Sequence, residues 1–250
     1  MQNFRNIFIS KTGFVPRTQA QALKAYLEDI IGPEYYTYRA VNIHPLLEEP
    51  WDFQEIDRLL AKPDLDIETI QILITIFDKM LQLPDKEQAL FAAESINALE
   101  QRYLNQIIAL KKKAETDADT DTIRAILQKY QCLAAINKNR PLLRTFYQKE
   151  AQQTFIQYRN LLTDPEKDIA AYISLLFDLE AMEEARREIL AALQKHPRDE
   201  KLHFIVAEFN FRIRSYREVG TYMNQVVKII KSKTGKEICD FWGIQGERHG

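Results

Sequence analysis

Three aspartates at alternate positions form the most metal-like motif in the chain. The stretch DADTDT places Asp117, Asp119 and Asp121 at the spacing of a calcium-binding loop. An EF-hand loop also requires glycine at its sixth position and glutamate at its twelfth, where this chain has Thr122 and Gln128. The motif therefore predicts a solvated loop rather than a metal site.

The nucleophiles and the remaining metal-ligand residues lack the spacing of a catalytic motif. No serine lies in a GxSxG turn, and neither Cys132 nor Cys239 has a histidine nearby in sequence. The histidines do not form an HExxH pair; they are His44, His196, His203 and His249. We expect His203, which opens a helix, to be partly exposed. The sequence predicts no enzyme, no cofactor and no metal.

Composition and charge exclude several other classes. The chain has 46% hydrophobic and 28% charged residues but only 7 glycines, which argues against a turn-rich β fold. Lys and Arg (34) nearly balance Asp and Glu (36), so no overall field attracts nucleic acid or an anionic membrane. The basic stretches FRIRSYREV and KIIKSKTGK read as solvated helix surface. We predict a cytoplasmic chain without a spanning segment, whose contact with a membrane is indirect only.

The elements that must position any site are helical from Trp51 onward. Apolar residues recur every three or four positions, as in DKEQALFAAESINALEQRYLNQI, where Asp85 and Gln88 suggest a helix-capping pair. Before that point, NIFIS and YYTYRAV are rich in strand-forming residues and flank a helical pattern. We predict an all-α fold of stacked antiparallel hairpins. For the first fifty residues, a small β-containing appendage and a helical or irregular start are both open.

A 34-residue offset relates two pairs of predicted helices near the carboxyl terminus. Residues of similar character recur at this spacing in the second helix of each pair, where Met182, Ala185, Ile189 and Ala192 match Tyr216, Val219, Met223 and Val226. Two helices per 34 residues are typical of stacked helix-turn-helix repeats. Because small residues allow close helix packing, we expect Ala185 and Ala192 to be buried.

These positions resemble the tetratricopeptide repeat (TPR) family over about residues 166–232. AMEEA followed by Ala192 and Pro197 looks like the second half of one repeat, and SYREV looks like a weaker copy. The resemblance implies stacked helix pairs whose first helices line a concave protein-binding surface. Residues 85–107 resemble, more weakly, the cytoplasmic TPR component of Pel-type exopolysaccharide assembly systems. We therefore expect three regions: a 1–50 appendage, helical hairpins over 51–140, and TPR-like repeats over 141–250.

The first helices of the two repeats supply the predicted partner-binding residues. By this resemblance the exposed face also includes Ala170, Phe177 and Phe211. The alternative is that Phe204 and Phe211 both pack within the stack, and for Phe211 we favour that alternative. Val206, Ala207 and Phe209 should point inward. The residues predicted to bind a partner are Lys201, Phe204, Glu208, Arg212, Lys167 and Ser174.

The expected function is that of a non-catalytic scaffold or adaptor for another protein, presented as a peptide or a helix in a repeat groove. The weaker resemblance implies a bacterial polysaccharide-assembly complex. The alternative is a small-molecule sensor or enzyme with a site between the helical halves. A pocket of converging polar groups would favour that alternative, whereas exposed aromatic side chains favour the scaffold. The oligomeric state is open.

Overall fold

The computed structural model describes Trp51, residues 53–232, and residues 235, 236 and 239. All regular structure in these residues is helical, as predicted, and no strand occurs among them. The predictions for residues 1–50, including both strand-like segments and His44, lie outside the described residues, as does His249. Two compact units divide the chain between Leu99 and Glu100.

The first unit contains two short helices and the beginning of a long one. They are α1 (Phe53–Leu60), α2 (Ile67–Leu81) and α3 (Lys86–Thr116), which continues into the second unit. Asp66 caps α2 by accepting a hydrogen bond from the Thr69 backbone N–H at 2.7 Å. The apolar stripe of α2 is buried, and Phe91 of α3 lies edge-on to Phe77 with ring centroids 6.2 Å apart.

The predicted capping pair at the start of α3 is confirmed, in a variant form. The Asp85 carboxylate accepts from the backbone N–H groups of Glu87 and Gln88, at 2.9 and 3.3 Å. The Gln88 side chain donates back to the Asp85 side chain at 3.0 Å, rather than interacting with its backbone.

The second unit continues with six helices joined by short turns. They are α4 (Thr120–Ile136), α5 (Pro141–Gln157), α6 (Ala170–Asp178), α7 (Met182–Lys195), α8 (Glu200–Arg212) and α9 (Tyr216–Val226), with a π-helical turn at Pro165–Ile169 before α6. Each helix packs on its successor, and α8 also packs on α6. Ala185 and Ala192 are 0% and 3% exposed, so their predicted burial is confirmed.

The aspartate-rich stretch serves as a helix cap. The helix α3 extends through the lysines to Thr116, and Asp119 then caps α4. Its carboxylate accepts from the hydroxyl of Thr122 at 2.6 Å, from the Thr122 backbone N–H at 2.7 Å and from Lys113 Nζ at 3.1 Å. These hydrogen bonds, with that from the Thr122 hydroxyl the strongest influence, hold the pKa of Asp119 far below its usual range.

Candidate functional site

Three of the predicted partner-binding residues lie exposed on α8. Lys201, Glu208 and Arg212 all have accessible side chains. Arg212 donates to Glu208 at 2.8 Å, one helical turn away, and Lys201 Nζ donates to the backbone carbonyl of Glu166 at 2.7 Å. The charged residues of the predicted surface are therefore accessible, and hydrogen bonds within the chain orient their side chains.

Phe204 does not belong to the exposed face, which corrects the prediction. Its side chain is partly buried and packs against the cluster formed by α8 and α9, which includes Ala207, Val219 and Met223. The reason is geometric, because Phe204 and Ala207 are three residues apart and share the side of α8 that meets α9. Ala207 is buried as predicted, while Val206 and Phe209 are partly buried.

The expected face of the preceding repeat is only partly open. Lys167 and Ser174 are exposed, and the Ser174 hydroxyl donates to the Ala170 carbonyl at 3.0 Å. Ala170 and Phe177, predicted to be exposed, are 2% and 1% exposed. Residues of α8 cover Phe177, as described below, so packing between consecutive helix pairs removes it from the surface.

Phe211 is the exposed aromatic residue of α8, contrary to our expectation that it packs inside. It is 50% exposed and lies edge-on to Tyr216, which is 52% exposed, with ring centroids 5.3 Å apart. Ile213, in the turn between them, is 44% exposed. We call Phe211, Ile213 and Tyr216 the turn patch. Such grouped exposure of large apolar side chains is typical of interaction surfaces.

A groove in the second unit was not predicted from the sequence. One face of α5 (Pro141, Arg144, Thr145 and Gln148) lines it together with the turn between α6 and α7, the end of α8 and Lys138, and its volume is about 700 Å³. The spacing of these α5 residues by three and four is a signal of a shared helix face. Sequence alone does not show what that face opposes.

The floor and walls of this groove combine apolar and charged groups. Arg212 places its guanidinium carbon 4.9 Å from the ring centroid of the buried Phe177, a cation–π arrangement. Gln148 is only 6% exposed, yet no described residue hydrogen-bonds its side-chain amide. Asp178 and Glu180 belong to the lining at the α6–α7 turn. The groove therefore presents positive and negative side chains together with the Gln148 amide, which has no hydrogen-bond partner among the described residues.

A second, smaller cavity of about 190 Å³ lies among α4, α5, the π-helical turn and α6. Arg124 and the buried Asp168 form a bidentate ion pair there, with N–O distances of 2.7 and 2.9 Å. The neighbouring wall holds Phe155 stacked on Tyr172, with ring centroids 4.0 Å apart. Burial, helped by the bond that Tyr172 donates to Glu184 at 2.8 Å, raises the pKa of Tyr172. The arginine and the carboxylate of this cavity are thus paired with each other, and the Tyr172 hydroxyl is paired with Glu184 outside the lining.

His203 is buried rather than partly exposed as predicted. It is 6% exposed, with Nδ1 2.5 Å from the Tyr222 hydroxyl and Nε2 2.9 Å from the Pro197 carbonyl. Since a carbonyl only accepts, Nε2 carries the proton and Nδ1 accepts from Tyr222. Burial raises the pKa of Tyr222 to about 12. This arrangement joins α8 to α9 and leaves no open ring nitrogen for catalysis.

The described ranges contain no cluster of three or more His, Cys, Asp or Glu side chains that could hold a metal ion. None of the helices in those ranges has both the length and the apolar character required to cross a membrane. In comparisons with known proteins, no family model, no curated protein and no solved structure matches the chain.

Proposed function

We propose that this protein is a non-catalytic scaffold that binds another protein through the turn patch and the charged end of α8. The observation that carries the proposal is the exposed aromatic pair Phe211 and Tyr216. Aromatic side chains supply much of the binding energy in protein interfaces when a partner desolvates them. Arg212, beside the pair in sequence, would set the partner's orientation.

We further infer that α6–α7 and α8–α9 are two TPR-like units of a stack. The supporting observations are spaced by 34 residues: α6 and α8 end at Asp178 and Arg212, and α7 and α9 begin at Met182 and Tyr216. The turns agree in detail, since Glu180 and Arg214 both adopt positive φ, at 57° and 63°. Packing of α8 on both α6 and α7 is the contact expected between consecutive units.

The other predicted residues have secondary roles in this proposal. Lys201, Glu208, Lys167 and Ser174 are exposed and polar, as the rim of an interface requires. Phe204 is no longer a candidate anchor because it packs on the core of its own helix pair. Phe211 takes its place as the anchor.

The resemblance of residues 85–107 to the TPR component of Pel-type systems guides the choice of partner. It is the reason to test proteins of a bacterial polysaccharide-assembly complex first. In that setting the scaffold is cytoplasmic and meets the membrane only through its partners.

The alternative, a small-molecule sensor or enzyme, would use the groove lined by Arg144 and Gln148 or the Arg124–Asp168 cavity. That cavity is below the roughly 300–1,000 Å³ of ordinary ligand sites, at about 190 Å³. Its arginine and carboxylate already bind each other at hydrogen-bonding distance. The groove is large enough for such a ligand, at about 700 Å³, but the exposed aromatic pair beside it, Phe211 and Tyr216, favours the scaffold.

Site-specific photo-crosslinking in native cells tests the proposal. A photoreactive phenylalanine analogue at Phe211 should crosslink to a discrete protein, which mass spectrometry then identifies. The matched control carries the same analogue at Leu190, which is similarly exposed at 54% but lies on α7. Equal crosslinking patterns from the two positions would argue against a partner surface at the turn patch.

A further inference from the structure

The groove beside the turn patch carries two polar groups that the fold itself does not use. The Arg144 guanidinium has no hydrogen-bond or ion-pair partner among the described residues. Gln148 is more than nine-tenths buried and lines the same groove, with no described residue bonding its amide. Neither amide atom of Gln148 is among the fully buried side-chain atoms that lack a partner, so the amide opens into the groove, where a ligand or water can hydrogen-bond to it.

These two groups are placed to act together. Arg144 and Gln148 are four residues apart on α5, so their Cβ atoms are roughly 5–6 Å apart on one face of the helix. A guanidinium offers a fork of N–H donors and an amide offers two more. A carboxylate, which only accepts hydrogen bonds, matches this pair, and the charged arginine strengthens each bond.

The turn between α6 and α7 restricts the charge of the ligand groups that can lie next to that carboxylate. Asp178 and Glu180 line the groove there, and no described residue forms an ion pair with either. A ligand with several negative charges would be repelled by them, whereas a neighbouring cation would be accepted. The volume of about 700 Å³ exceeds what one small ion fills and leaves room for neighbouring side chains of a peptide.

We propose that the groove binds a charge-mixed peptide segment of the scaffold's protein partner, with Arg144 and Gln148 holding an acidic side chain and Asp178 and Glu180 holding an adjacent basic one. This inference rests on the proposed function, because the occupant belongs to the partner of the turn patch. Continuity supports that choice: Arg212 lines the groove and lies between Phe211 and Ile213 of the patch.

Fluorescence anisotropy with synthetic peptides of equal length tests the groove directly. Every peptide contains one Phe. The four peptides differ at their other positions, which are Glu, Lys, alternating Glu and Lys, or Ser. The Glu/Lys peptide should bind the full chain most tightly. Arg144→Ala should weaken it at least about tenfold, the loss expected for hydrogen bonds to a charged group. Arg144→Lys should restore part of the affinity, and Asp178→Asn should weaken only the Lys-containing peptides.

The matched control is Lys149→Ala, which removes an exposed cation of the same helix outside the groove and should bind like wild type. Thermal melts of each variant verify folding, which Arg144→Ala should preserve. The inference is overturned if the Glu/Lys peptide binds no better than the Ser peptide, or if Arg144→Ala matches Lys149→Ala. If either of these results is obtained and the Arg144→Ala variant still crosslinks at Phe211, the peptide-binding groove is rejected but the proposed scaffold function stands.

Discussion

The helix pairs α6–α7 and α8–α9 share a turn geometry but treat one aromatic position in opposite ways. Phe177, at the end of α6, is 1% exposed, whereas Phe211, 34 residues later at the end of α8, is 50% exposed. Arg212 and Phe209 of the following pair lie against the Phe177 ring, at 4.9 and 6.3 Å between centres.

This difference shows that the burial of one side chain depends on the next element in the chain. Locally the two positions are alike, since each is followed by the last residue of its helix, then by a C-cap residue and then by a residue with positive φ. A phenylalanine side chain at this position thus packs in the core of the α6–α7 pair but is accessible to a partner in the α8–α9 pair.

Truncation of these two aromatic residues should give the largest contrast. Phe177→Ala should lower the free energy of unfolding by about 3–5 kcal/mol, because it opens a cavity in a packed contact. Phe211→Ala, at the equivalent but exposed position, should change it by less than about 0.5 kcal/mol. Urea denaturation of both variants measures the difference, and similar losses would show that Phe211 is also part of the core.

A second contrast separates an ionic contact from an apolar one at equivalent positions. Asp168 is 3% exposed and bound to Arg124, while Leu202, 34 residues on, is 1% exposed. Asp168→Ala should destabilise the chain by about 3 kcal/mol, the lower end for breaking a buried pair, because the Arg124 side chain is 32% exposed and regains water. In the Asp168→Ala background, the further substitution Arg124→Ala should lower the free energy of unfolding by little more. Additive losses in this double-mutant cycle would mean that the two residues do not interact.

The small residues of α7 provide a third comparison. Ala192 and Val226 are equivalent and buried at 3% and 6% exposure. Ala192→Leu should overpack the α7 contact and cost about 1–3 kcal/mol, whereas Ala192→Val, the residue type of the other pair, should cost less. Thermal melting distinguishes them. A Leu variant that melts like wild type would refute the inferred repeat register.

The smallest expected effect is the pH dependence of stability that Glu200, at the start of α8, contributes. Burial opposes ionisation of Glu200, but hydrogen bonds from the Ser232 hydroxyl and the backbone N–H groups of Lys231 and Ser232 outweigh it and lower its pKa below the ordinary 4.5. A lowered folded-state pKa contributes stability above the unfolded pKa, which is lost as pH falls through the folded value. Glu200→Gln should reduce stability at neutral pH and flatten its decline below pH 4.5. Unfolding curves across acidic pH measure this, and parallel profiles for wild type and Glu200→Gln would contradict it.

The amino-acid sequence correctly predicts the features that depend on neighbouring residues within one or two helices. Asp85 as a cap, the buried Ala185 and Ala192, and the helical class follow from local spacing and side-chain size. It failed for Phe204 and Phe211 because their exposure depends on which side of α8 faces α9, which the spacing along one helix does not determine.

The groove was missed for a related reason. The apolar residues of α5, not its polar face, dominated the helical pattern, and the wall opposite Gln148 comes from segments about thirty residues away. A free arginine in such a wall has no signature in the sequence, because its lack of a partner is a property of the assembled helices.

Affinity measurement with the crosslinked partner, once it is identified and purified, tests the scaffold claim most directly. The double variant Phe211→Ala/Tyr216→Ala should keep the melting temperature of wild type and bind the partner at least about tenfold more weakly, as removal of interface anchors does. The control Leu142→Ala/Leu190→Ala, which truncates exposed apolar residues elsewhere in the second unit, should bind normally. Unchanged affinity of the turn-patch variant would contradict the proposed function.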